Sequence, residues 1–282
     1  MAAAKSKTKS KPASKQKAYE PVIERVFKAR YRARAKMVDF TREQLVDAAR
    51  ELGVDPKNIG DLLYTYRYRR QLPTSISECA PAGHVWIIRG RGAARYRFAA
   101  VPESYAYITP QPGRAEVKVP DATPGVIVKY KLDDEQALLA KVRYNRLIDV
   151  FMGVATYSLQ SHLRTQVDEL GQVETDEVYV GIDRQGAHYV FPVQAKGGTD
   201  RHSIVQVEQD FAMCADKFPG LICRAIAAQF MDGEKIALFA FRLNVKGEAS
   251  IVDEKHYVLV PPDKISAKEL DEYRRQAMLS LG

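Results

Sequence analysis

Cysteine is scarce in this chain: three in 282 residues, at Cys79, Cys214 and Cys223. An odd, scattered set gives neither a disulfide framework nor paired CxxC knuckles, and reads as small buried thiols. The five histidines, His84, His162, His188, His202 and His256, show neither HExxH nor Cys/His zinc spacing. No apolar run approaches the roughly 18 residues of a membrane-spanning helix. GxxxxGK[ST], GxGxxG and GxSxG are all missing, which removes the usual signatures of nucleotide binding and of the hydrolase nucleophile elbow. The opening MAAAKSKTKSKPASKQK lacks the apolar stretch of a secretory leader, so a cytoplasmic location is expected.

What is present is an ordinary globular composition, 46% hydrophobic and 28% charged, long enough for two domains. The net charge of +8 is unevenly divided. Residues 1–100 hold 22 Lys+Arg against 9 Asp+Glu, a net of +13; the rest holds 21 against 26, a net of −5. A basic half joined to an acidic half points to a polyanionic partner for the first, and double-stranded DNA is the commonest. An anionic membrane is disfavoured, because the arginines do not gather on one face of an amphipathic helix. The first 17 residues, with six lysines and no acid, cannot bury enough surface to order themselves. They read as a disordered basic tail over residues 1–18, either adding phosphate affinity or merely solubilising.

Helical spacing begins near Tyr19, with Val22, Val26, Phe27 and Tyr31 inside EPVIERVFKARYRARAKMV. A second helix follows Thr41, whose spacing to Gln44 makes a capping box; Leu45, Ala48, Ala49 and Leu52 form its inner face and Gly53 its stop. A third opens at Asp55–Pro56, with Ile59, Leu62, Leu63 and Tyr66 inward. Its far end interleaves Arg67, Arg69 and Arg70 with Tyr64, Tyr66 and Tyr68. A hairpin is expected next, Val85–Ile88 against Tyr96–Ala100 around Gly90–Gly92. Arg89 and Arg91 lie at its tip, and Arg95 and Arg97 share a face opposite Tyr96 and Phe98. Helices followed by a basic hairpin are the parts of a winged-helix-like DNA-binding domain, placed at residues 19–110, with those seven arginines as candidate contacts. Five prolines between Pro102 and Pro124 argue for a linker at 111–128.

Residues 129–282 alternate helix and strand, the pattern of an α/β layer with a mixed sheet. LDDEQALLAKVRYNRLIDVFMG is helical, entered by Asp133–Glu135; a strand and a hairpin follow, then a helix with Ile204, Val207, Phe211, Cys214, Ala215 and Phe218 on one face and Gln206, Gln209 and Asp210 elsewhere. Later strands and a final helix capped at Ser266–Glu269 close the chain.

The hairpin ETDEVYVGIDRQGAHYVFPVQAKGG carries the chemistry. If Asp183 faces Ala187 across the turn, antiparallel pairing sets Asp176 opposite Gln194 and Glu174 opposite Lys196. A one-residue slip would bring Glu177 there instead, which makes it the second-choice acid. Asp183 stays at the turn, roughly 23 Å along the strand from Gln194 at ordinary strand rise. Carboxylate, amide oxygen and ammonium at one strand end suit a hard cation completed by water and phosphate, with the lysine orienting the attacking water. The plainer alternative is a solvated cross-strand salt bridge.

ETDEV…FPVQAKGG, with a helix before and after, resembles the PD-(D/E)xK nuclease superfamily over roughly residues 130–242. The resemblance implies a restriction-endonuclease-like fold. Asp176 then matches the metal-binding acid, Gln194 the second acidic position, Lys196 the catalytic lysine and the Ala195 carbonyl a main-chain metal ligand. Glu135 matches an acid that some members carry on the first helix. Gln194 departs from the pattern, which has Asp or Glu there. The implied activity is an endodeoxyribonuclease using Mg²⁺ (or Mn²⁺), foremost a type II restriction enzyme; because a second cut requires a second active site, symmetry makes a homodimer the form expected of such an enzyme. The alternatives are a repair or Holliday-junction nuclease, and a noncatalytic DNA-binding regulator on a degenerate nuclease fold.

Overall fold

The computed structural model describes residues 12–55, 59–130, 135–168, 170–198, 200–232, 235–245 and 247–279. Two compact units result. One runs to Ala106 and includes Asp168–Gly171; the other holds Tyr107–Val167 and the chain from Gln172 onward. Among the described residues, no helix is long and apolar enough to cross a membrane.

The first unit begins with α1 (Pro12–Arg30), whose start lies inside the stretch expected to be a disordered tail; the rest of that stretch, residues 1–11, lies outside the described residues. Val22, Ile23, Val26 and Phe27 are buried. The helix stops at Arg30, and the chain turns into a strand that the sequence pattern does not announce, β1 (Met37–Thr41). Val38 and Phe40 alternate inward along it, a two-residue period too short-lived to stand out beside a long helical pattern. Then come α2 (Arg42–Glu51) and α3 (Ile59–Tyr64), which a π-helical turn extends over Thr65–Arg69. The Thr41–Gln44 capping box is present in both directions, while the Pro56 helix start lies outside the described residues. A short α4 (Thr74–Ser77) leads to the hairpin of β2 (His84–Gly90) and β3 (Arg95–Pro102), and α5 (Glu103–Ala106) ends the unit. β3 is central in the order β1-β3-β2. Phe27 meets Trp86 and Phe98 edge-on at 5.2 and 5.1 Å and stacks on Tyr31 at 5.0 Å, so aromatic contacts knit the helix to the sheet.

The second unit is a mixed α/β layer. A short β4 (Tyr107–Ile108) precedes β5 (Glu116–Pro120), α6 (Gly125–Tyr130), α7 (Glu135–Tyr144) and α8 (Leu147–Met152). The segment expected as a linker is therefore structured. Its strand β5 is a sheet edge, where the terminal Pro120 costs no ladder bond. Then follow β6 (Ala155–Val167), β7 (Gly171–Ile182), β8 (His188–Lys196), β9 (His202–Ser203) and α9 (Ile204–Lys217). The remaining elements are β10 (Ile222–Cys223), β11 (Ile226–Phe230), β12 (Lys235–Leu243), β13 (Ala249–Val260) and α10 (Ala267–Leu279). The large sheet runs β5-β13-β12-β11-β8-β7-β6, with β10 also paired to β8. β8 is parallel to β11 and antiparallel to β7, which makes the sheet mixed. Leu138, Leu139 and Val142 of α7 pack with Phe191, Val193 and Ala195 of β8, and α9 packs against β6, β8 and β13.

α9 differs from the amphipathic surface helix its sequence suggests. Ala215 is exposed, whereas Gln209 and Asp210 are buried beside Val205 and Met213. Its first three turns are enclosed nearly all round, so the apolar stripe alone misjudges which residues face inward.

Candidate functional site

The β7–β8 ribbon has the register that its turn dictates. Pairing runs from Ile182↔His188 to Glu177↔Val193. At the tip the Asp183 amide donates to the Ala187 carbonyl at 3.1 Å. The Asp183 carboxylate accepts the Gln185 and Ala187 amides, both at 2.9 Å, and Gly186 takes the left-handed position at φ +81°. Those amides hold the Asp183 carboxyl below its usual range. Asp183 closes the turn and is remote from the strand ends.

Past Glu177↔Val193 the side chains take over from the backbone. The Ala195 amide donates to Asp176 Oδ2 at 2.8 Å, and Gln194 Nε2 donates to the Glu174 carbonyl at 3.1 Å. These bonds end the ladder, tying Asp176 to Ala195 and Gln194 to Glu174. Of the expected pairs, Glu174 with Lys196 is not formed. Glu174 bonds Arg164 Nε of β6 at 3.0 Å, and Lys196 Nζ lies 3.5 Å from Glu135 Oε1 at the start of α7. The end of the ladder frees the strand ends to find these other partners.

Asp176 is largely enclosed. Burial raises its carboxyl above the usual range, against the Ala195 amide and Lys196, which favour the charge; Glu135 raises it further. Lys196, Glu135 and Asp176 therefore share one electrostatic neighbourhood. His162 of β6, set aside as a lone histidine by spacing, also acts on Asp176. Its backbone stands at φ +55°, an uncommon conformation for a non-glycine residue.

Asp210 is the residue that sequence reasoning missed. It is 1% exposed on α9. Its Oδ1 accepts Thr175 Oγ1 at 2.6 Å, and both carboxylate oxygens accept Gln194 Nε2 at 3.1 Å. Gln209 adds a bond to the Glu174 carbonyl at 3.2 Å. The Gln194 nitrogen thus faces three acceptor oxygens, which fixes the amide with Oε1 on the opposite branch. Burial pushes the Asp210 carboxyl up to about 7, with Asp176 adding to the rise. A charged residue on an amphipathic helix reads as solvent-facing, and nothing in the local sequence marks Asp210 as buried.

Glu177, the second-choice acid, is placed elsewhere. It pairs with Val193 and so faces α7. Its Oε1 accepts Arg143 Nη2 at 2.7 Å, Arg143 Nε at 2.8 Å and Ser158 Oγ at 2.6 Å. With 0% exposure its carboxylate is sealed by this clamp, while Oε2 has no partner.

The arginines expected to contact DNA have unlike settings. Arg67 is buried, its guanidinium 4.8 Å from the Tyr68 ring centre and its Nε without a partner. The Arg69 side chain lies outside the described residues. Arg70, Arg91 and Arg95 are exposed. Arg89 lies over the Tyr105 ring at 5.8 Å. Arg97 grips Asp39 with two bonds, at 2.6 and 2.8 Å, which hold the Asp39 carboxyl below its usual range.

Among the described residues, no three His, Cys, Asp or Glu side chains stand close enough to share one ion. The oxygens expected to serve a cation are instead of mixed type: the Asp176 carboxylate, whose Oδ1 accepts from none of the described residues, with the Gln194 amide and the Ala195 main chain. All are hard donors of the kind Mg²⁺ takes. Compared with known protein families, curated proteins and solved structures, the chain matches none of them.

Proposed function

We propose that the chain is a metal-dependent endodeoxyribonuclease whose second unit cuts phosphodiester bonds and whose first unit holds duplex DNA. The observation that carries this reading is the bond of Asp176 to the Ala195 amide where the ladder breaks, with Gln194 adjacent in the chain and with Lys196 and Glu135, themselves paired, acting on the Asp176 carboxyl. A mixed sheet with α7 before the ribbon and α9 after it supports a restriction-endonuclease-like core. The order α1-β1-α2-α3-α4-β2-β3 with sheet order β1-β3-β2 supports a winged-helix-like first unit.

In this reading Asp176, Gln194 Oε1 and the Ala195 carbonyl would hold Mg²⁺, and the ion would supply Lewis-acid chemistry toward a phosphoryl oxygen and water. Lys196 orients the nucleophile and offsets charge developing on the phosphate. Asp210 answers the departure at Gln194. The missing acid is supplied one layer back, 3.1 Å from the amide nitrogen, where it fixes the orientation of the amide. That compensation favours an active nuclease over a degenerate regulator.

A supercoiled plasmid incubated with the protein and Mg²⁺ should become nicked or linear. Discrete bands from a long substrate indicate a restriction enzyme, and a preference for branched DNA indicates a repair or junction nuclease. A plasmid left intact under Mg²⁺ and Mn²⁺ contradicts the proposal. Double-strand scission by a homodimer would show as direct conversion to linear product, since each strand needs its own site.

A further inference from the structure

The basic run KARYRARAK at 28–36 contains none of the arginines assigned above. Tyr31 turns inward, stacked on Phe27 and bonded to the Cys79 carbonyl at 3.3 Å. Arg30, Arg32, Arg34 and Lys36 around it are exposed. Arg30 Nε donates to the Asp39 carbonyl at 2.7 Å and Arg32 Nη1 to the Tyr31 carbonyl at 3.3 Å. Among the described residues, no carboxylate makes an ion pair with any of these four cations, nor with Arg91 or Arg95 at the hairpin tip, although Asp39 lies near enough for Arg91 and Arg30 to act on its charge.

Two adjoining recesses open along this edge, sharing Arg30 and Asp39. One, of about 250 Å³, is lined also by Arg91, Arg95 and Arg97. The other, of about 380 Å³, is lined also by Arg32 and Met37. Among the described residues, Asp39 is the only carboxylate lining either, and it is already neutralised by Arg97. By contrast, burial removes Arg67 from the helix end at Tyr64–Arg70.

We propose that the β1 edge, formed by Arg30, Arg32, Arg91 and Arg95, together with the exposed Arg34 in the run that leads into β1, is the surface on which the first unit grips the backbone phosphates of duplex DNA. The inference rests on the nuclease reading for its partner and moves the grip away from the end of α3. Arginines outside ion pairs give phosphate its fork-shaped donors. The aromatic packing beneath and the bond from Arg30 to Asp39 hold the edge in place before the ligand arrives, which lowers the ordering cost of binding.

The test measures binding of the full-length chain to a labelled blunt duplex by fluorescence anisotropy, with EDTA present so that no cutting occurs. The triple variant R30Q/R32Q/R34Q should bind about tenfold or more weakly, and its slope of log K against log salt should fall by about 2.7, at ~0.9 for each phosphate no longer neutralised. Arg70→Gln should change the affinity less than threefold. Far-ultraviolet circular dichroism of each variant checks that the fold is kept. Unchanged affinity and slope in the triple variant, or an equal loss in Arg70→Gln, overturns the assignment to this edge while leaving the cleavage site untouched. A wild-type chain that binds no duplex, or that binds only anionic phospholipid vesicles, overturns both this proposal and the DNA-holding role. Failure of cleavage with duplex binding intact bears on the second unit alone.

Discussion

Asp210 and Gln194 are joined by an amide nitrogen that lies 3.1 Å from each oxygen of the carboxylate, in the buried layer between β8 and α9. The pair makes a charge-swap prediction. Gln194→Glu alone sets two carboxylates against each other, so it should lose activity although it restores the acid at that position. The double variant Q194E/D210N exchanges acid and amide and should recover at least about tenfold over Q194E, as expected for directly coupled groups. Plasmid nicking rates under Mg²⁺ measure the cycle. Additive effects of the two changes would show that the residues act separately.

The elevated Asp210 carboxyl also predicts how stability varies with pH. An unfolded aspartate ionises near 3.8 and the folded one at about 7. Its folded pKa is the higher, so the folded form binds the extra proton. Its contribution is fully present below about 3.8 and is lost as pH rises to about 7. The slope in that window is at most about 1.4 kcal/mol per pH unit. Asp210→Asn should flatten the window, and urea melts of metal-free protein at pH 5 and pH 8 provide the comparison. A wild-type curve no steeper than the variant's would refute the assignment.

Glu177 and Arg143 should behave as a structural pair. Arg143→Ala strands a fully enclosed carboxylate and should cost about 3–5 kcal/mol of stability. Glu177→Gln keeps the shape and the bond to Ser158 while removing the charge. It should retain DNA cleavage within about threefold, since the carboxylate is sealed away from any substrate. A Glu177→Gln protein that folds, binds DNA and fails to cut would move the catalytic acid from Asp176 to Glu177.

Acidic pH should restrict the cleavage reaction from an unusually high starting point. Burial raises the Asp176 carboxyl, and a metal requires its ionised form. The acid limb of the Mg²⁺-dependent rate should lie above that of an exposed aspartate. A rate flat down to pH 4 would contradict this role for Asp176.

Much of this arrangement is legible in the chain because it is locally encoded. The turn at Asp183–Gly186–Ala187 sets the ribbon register, and the Thr41–Gln44 and Ser266–Glu269 spacings mark helix starts that the structure bears out. What escapes depends on tertiary context. Val38 and Phe40 show their alternation only once β3 pairs beside them. The prolines that suggest a linker disguise β5, because an edge strand tolerates Pro120. Asp210 is buried by the sheet that α9 covers, and no periodicity distinguishes a buried aspartate from a solvated one. The ladder expected to continue through Gln194 ends early because side chains of Asp176 and Gln194 claim the backbone groups it needs.

The most direct test of the central claim compares cutting and binding in Asp176→Asn and Lys196→Ala. Both should reduce Mg²⁺-dependent plasmid cleavage by about 100-fold or more, while duplex affinity measured in EDTA stays within threefold of wild type. If either variant, correctly folded, cleaves at the wild-type rate, the reaction does not take place at the end of the β7–β8 ribbon.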